Sequence, residues 1–220
     1  MKKTKKCIKF LLRVVTIFLI AIVVILFASS IRDEWKSRKV SESIIKYPVS
    51  MAQEMISEIQ ESKLSVTYTS LSVPNINSSF KTWMGYQVWE ENSPNSAQYK
   101  FFKKWGWVDD QGFARCSAER DLGIEDDYYM VALGSYYGTT LGSKYKITLD
   151  TGKVFYAILG EFKANIHTNS TNQYSLDNND IVEFVIDEIT LNRTVMSAGS
   201  ANVYMPLNGN VAKIERINFN

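Results

Sequence analysis

The sequence predicts a mainly β domain of the α+β class, held outside a membrane by an N-terminal transmembrane helix and a helical stalk. Three observations carry this. An uncharged apolar run lies near the N-terminus. An amphipathic stretch at helical spacing follows it. The rest of the chain alternates short apolar runs with Gly, Asn and Asp turn signals. The chain has 220 residues. With anchor and stalk set aside, that leaves room for one domain.

The apolar run is VVTIFLIAIVVILFASSI, Val14 to Ile31. It carries no charge and is long enough to cross a bilayer core. Lys2, Lys3, Lys5, Lys6, Lys9 and Arg13 precede it, and a basic flank stays in the cytoplasm. The expected organisation is a cytoplasmic N-terminus at 1–13, a plasma-membrane anchor at 14–31, a helical stalk at 32–62 and an extracytoplasmic β-rich domain at 63–220. Ala28-Ser29-Ser30 offers a rival reading as a signal-peptide cleavage site, which would make the protein secreted. The length of the run, and Arg32, Asp33 and Glu34 directly after it, favour an uncleaved, single-pass anchor.

Net charge supports that division. Of 25 Lys/Arg and 23 Asp/Glu, ten and two fall in residues 1–39, so the remaining 15 and 21 give the rest of the chain −6. An acidic domain without a basic stripe argues against binding nucleic acid. Cys7 and Cys116 would lie on opposite sides of the bilayer and cannot pair. Cys116 reads as a small buried residue. Sparing use of cysteine and a Lys-rich start point to a bacterial envelope protein.

Along the chain, Val49, Ala52, Met55, Ile56 and Ile59 share one helical face, so Ser50–Ser62 reads as an amphipathic helix. Val66 and Tyr68 suggest a strand or an extended linker. SPNSAQYKFFKKWG reads as a short helix with Ser96 as its cap and Gly106 as its stop. Asp109-Asp110-Gln111-Gly112 marks a hairpin turn. Met130–Leu133, Tyr145–Leu149 and Val154–Leu159 are strand-like, with Asp150-Thr151-Gly152-Lys153 turning between the last two. A long polar loop precedes a strand expected over Ile181–Ile189. A final hairpin is expected to turn at Asn208-Gly209 into Val211–Ile217. This pattern favours a small β-barrel or sandwich.

For chemistry, the sequence offers no Gly-rich phosphate loop and no zinc signature, and His167 stands alone. No cofactor and no metal are expected. Glu161 is the chemical lead. It follows the apolar run Ala157-Ile158-Leu159-Gly160, and Gly160 would admit a close approach. A carboxyl at the mouth of an apolar domain is partly desolvated, which raises its pKa as a general acid requires. Two assisting carboxylates are candidates, Asp187 in a later strand and Asp150 in a turn. The competing reading makes Glu161 a strand-end residue in solvent or a partner of Lys163.

The stretch TTLGSKYKITLDTGKVFYAILGEFKANIH resembles the core of the three-aspartate domain, a double-psi β-barrel of bacterial cell-wall lytic enzymes. Leu141-Gly142-Ser143 matches that family's Leu-Gly-Thr-like turn, and Gly152 through Ala157 its glycine-turn-strand. Glu161-Phe162-Lys163 stands where the family has Asp-Thr-Gly, so Glu replaces the acid and Phe-Lys the two residues after it. The family's next Asp falls near Asn165–His167, and its closing strand matches Ile181–Ile189. The chain is also similar to membrane-anchored exported proteins of Gram-positive bacteria, through Ser79-Phe80-Lys81 with Met84, Ser96-Ala97-Gln98-Tyr99 and Leu159-Gly160-Glu161-Phe162-Lys163. The first resemblance implies a double-psi barrel that acts on or binds cell-wall glycan, with glycosidic-bond cleavage by Glu161 as a murein lytic transglycosylase or hydrolase. Peptidoglycan glycan or other envelope proteins are then the expected partners. A non-catalytic envelope scaffold or binding module is the alternative.

Overall fold

Strand-forming runs outnumber helical ones after residue 65, and their pairing sets the architecture. The computed structural model describes residues 65–220; the anchor at 14–31 and the stalk at 32–62 lie outside them. Among the described residues no helix is long and apolar enough to cross a membrane. The strands are β1 (Val66–Leu71), β2 (Trp83–Gly85), β3 (Gly106–Val108), β4 (Ala114–Cys116), β5 (Tyr128–Leu133), β6 (Lys144–Leu149), β7 (Val154–Phe162), β8 (Glu183–Ile186) and β9 (Val211–Phe219). Three short α-helices accompany them: α1 (Gln87–Asn92), α2 (Ala97–Trp105) and α3 (Arg193–Ala198).

The strands form one mixed nine-stranded sheet in the order β1-β9-β6-β7-β5-β4-β3, with β8 pairing β5 and β2. Most neighbours are antiparallel; β5–β7 and β2–β8 are parallel. The expected barrel is not closed by pairing. Among the described residues β1 and β3, at the two ends of the order, share no ladder, and the sheet is open.

Local signals placed several elements correctly. Ser96 caps α2 by accepting the Tyr99 N–H, and Gly106 ends it. Gly112 takes φ 86° in the β3–β4 turn and Gly152 takes φ 81° in the β6–β7 turn, a conformation that an L side chain resists. Two expectations fail. The strand expected over Ile181–Ile189 is confined to Glu183–Ile186, because Asp187 turns the chain through bonds to Ile189 and Thr190. The final hairpin is absent: β9 pairs with β1 and β6, both distant in sequence.

The sheet separates two cores. One face of the sheet buries Tyr129, Val131, Leu133, Tyr145, Ile147, Phe155, Leu159, Phe184 and Ile186. The other buries Tyr128, Met130, Ile158 and Val185 under Trp89 of α1 and Tyr99 and Phe102 of α2. Alternation of side chains along β5, β7 and β8 produces this division.

Candidate functional site

The position of Glu161 is decided by one extra residue. Along the β5–β7 ladder, Val131 pairs with Leu159 and Ala132 with Glu161, so the register slips by one and Gly160 is the bulged residue. Leu159 belongs to the first core and Ile158 to the helix-covered one. Strict alternation would send Glu161 to the side of Leu159. The bulge returns it to the side of Ile158, beneath α1 and α2. A glycine is needed here for space: a Cβ at Gly160 would lie 2.2 Å from Met130 Cγ.

On that face Glu161 is held by N–H donors. Trp89 Nε1 donates to Oε2 at 2.8 Å, and Gln98 Nε2 and the Phe162 N–H donate to Oε1 at 3.0 and 2.7 Å. The carboxylate is half-buried. Trp89 comes from α1 and Gln98 from the first turn of α2, so the two helices fix its orientation.

Ala132 is also paired on its other side, with Glu183 of β8. Glu161, Ala132 and Glu183 therefore form a row across three strands, with a methyl group between the two acids. Two strand spacings put their Cα atoms about 10 Å apart, and long side chains can close part of that gap. Burial raises the Glu183 pKa above the ordinary glutamate value. Lys163 opposes the rise, and the nearby Asp180 and Glu161 charges add to it.

Lys163 does not pair with Glu161. Its ammonium donates to Asp180 Oδ1 at 2.6 Å and Ser175 Oγ at 3.0 Å, and lies 3.6 Å from Glu183 Oε2. Asp180 is fully buried and also accepts from the Thr82 N–H and hydroxyl. Two carboxylates, Asp180 and Glu183, thus flank a single ammonium. Lys163 is shared with the fully buried Asp180, so it only partly offsets the desolvation that raises the Glu183 pKa.

The other two sequence candidates sit elsewhere. Asp150 lies in the β6–β7 turn, seven β7 positions from the Glu161 end, about 20 Å away. It accepts from the Asn210 backbone and side chain, and these bonds lower its pKa. Asp187 lies just past β8 and accepts from Gln87, Ile189 and Thr190. Burial works against its charge, but these bonds prevail and its pKa is lowered. Both close turns, and neither contacts Glu161. Cys116 is buried, and desolvation pushes its thiol up to about 12, which disfavours the nucleophilic thiolate. His167 is exposed in a short 3₁₀ turn. Among the described residues no group of three or more His, Cys, Asp or Glu could hold a metal ion.

A cleft of about 450 Å³ opens between α2 and the sheet. Phe101 and Trp105 of α2 form one wall, Ile158 belongs to the sheet side, and Ser117, Glu119 and Lys144 add polar groups. Lys144 is ion-paired with Glu119, which also accepts from the Tyr128 hydroxyl at 2.5 Å.

Comparisons with family models, curated proteins and solved structures find no match to this chain. Reasoning from sequence missed Glu183. Its signal was a carboxylate inside the apolar run Ile181–Ile186, but which face it takes depends on pairing.

Proposed function

We propose that this protein is an envelope protein, anchored through residues 14–31 in a bacterial plasma membrane, whose exported domain acts on cell-wall glycan. The observation that carries the reading is the Glu161–Glu183 pair: two glutamates on one face of the sheet, one with its pKa raised by burial and the other oriented by three N–H donors. Glycosidic-bond cleavage requires such a division between a proton donor and a second carboxylate. Glu183 gives its proton to the leaving glycosidic oxygen as the C1–O bond breaks. Glu161 stabilises the positive charge that develops on the sugar ring. Water, or a hydroxyl of the same sugar, then attacks C1 and returns a proton to Glu183. The proton-donor role expected of Glu161 passes to Glu183, and the assisting role expected of Asp187 or Asp150 passes to Glu161. The finer reading of the fold, a relation to double-psi barrels, is supported by the two parallel pairs in an otherwise antiparallel sheet.

The test is release of soluble muropeptides from purified murein by the full-length protein, its Glu183→Gln and its Glu161→Gln variants. Loss of release in both variants is the expected result. Equal release by all three proteins would exclude the pair.

One observation favours a second reading, a non-catalytic envelope module: neither glutamate lines the 450 Å³ cleft. No release by any of the three proteins, with glycan binding intact, would select it.

A further inference from the structure

We infer that the cleft between α2 and the sheet is a binding site for an uncharged saccharide, an N-acetylhexosamine oligomer, contacted by Trp105, Phe101 and the Glu119–Lys144 pair. This deepens the glycan reading and rests on it for the choice of ligand.

Size comes first. A volume of about 450 Å³ lies within the range of small-molecule sites, roughly 300–1,000 Å³. Charge comes second. The two ionised groups on its walls neutralise each other as an ion pair, so the cleft selects for neither an anion nor a cation. Shape and polarity come third. Trp105 is 57% exposed, and Lys104 Nζ lies 4.7 Å from its ring centroid, a contact that helps hold the indole in place. Phe101 and Ile158 extend the apolar surface. Ser117, Glu119 and Lys144 supply a hydroxyl, an acceptor and a donor beside it. A sugar ring has this same division, apolar C–H faces and a hydroxylated rim. An acyl chain would fill the apolar part but leave the ion pair dehydrated without compensation.

Position comes last. Gln98, Phe101 and Trp105 fall at i, i+3 and i+7 of α2 and share one stripe. Gln98 donates to Glu161, and Trp105 lies about 10 Å further along the helix axis. On the sheet, the bulge at Gly160 puts Ile158 and Glu161 on the same face. The cleft residues Phe101 and Trp105 therefore share a helix stripe with Gln98, and Ile158 shares a sheet face with Glu161.

The experiment is calorimetric titration of the full-length protein in lipid nanodiscs with N,N′,N″-triacetylchitotriose. Saturable binding is expected. Trp105→Ala should weaken it about tenfold, the upper end for loss of one aromatic contact. Ser117→Trp should block the cleft from the opposite wall. Unfolding midpoints of both variants control for folding. No saturable binding, or equal binding by wild type and both cleft variants, would overturn the proposal, as would decanoate binding at Trp105 in place of the saccharide. Murein release without chitotriose binding would sink the cleft alone; binding without release would sink cleavage and leave the cleft.

Discussion

The two faces of the sheet are built from the same strands and do different work. The face bearing Tyr129, Val131, Leu159 and Phe184 is closed and apolar, with aromatic rings packed edge to face. The face bearing Met130, Ile158 and Val185 is covered by two short helices, and at its margin it admits Glu161, Glu183 and Lys163. A single-residue bulge separates the two outcomes for β7. Polar groups can gather on the second face because helices supply donors, Trp89 and Gln98, that a second layer of apolar side chains would not.

Three substitutions probe this contrast. The largest effect is expected on the apolar face. Phe184 is fully buried against Phe113, Tyr129 and Phe155, so Phe184→Ala should cost about 3–5 kcal/mol in denaturant-induced unfolding. A loss below about 1 kcal/mol would show that this face is not the stabilising core.

Gly160→Ala tests the bulge. The added methyl overlaps the buried Met130 side chain, and relief requires movement of Met130 or of β7. A cost of about 1–3 kcal/mol is expected, together with loss of muropeptide release as Glu161 leaves the reach of Trp89 and Gln98. Retained release with unchanged stability would mean that the register shift does not set the position of Glu161.

The smallest effect on stability is expected at Glu183, and it depends on pH. A carboxyl whose folded pKa is raised favours the native state most below its ordinary value, near 4.5. That contribution is lost as pH rises through the folded pKa. Relative to Glu183→Gln, the wild type should therefore be most stable at acid pH and lose ground toward neutrality. Unfolding midpoints at pH 4 and pH 7 give the comparison. A difference between the proteins that does not change with pH would argue that Glu183 has an ordinary pKa.

Sequence alone determined the elements whose causes are local. The Ser96 cap and Gly106 stop fixed α2 because a helix end needs a side-chain acceptor at one end and a break at the other. The turns at Gly112 and Gly152 were legible because only glycine enters positive φ freely. The apolar runs in β5, β6 and β7 were legible because side chains alternate along a strand. Tertiary structure decided what depends on partners distant in the chain. The β9 ladder joins residues more than a hundred positions apart to β1, so the expected hairpin could not be tested by any local signal. Glu161 meets Trp89 and Gln98 from 72 and 63 positions away. Lys163, two residues from Glu161, turns to Asp180 because a fully buried carboxylate competes better for an ammonium than a half-buried one already supplied with donors. Glu183 became a site residue only when Ala132, with Glu161 on its other side, was placed beside it. A sequence can name its carboxylates, but the pairing of strands chooses which of them share a face.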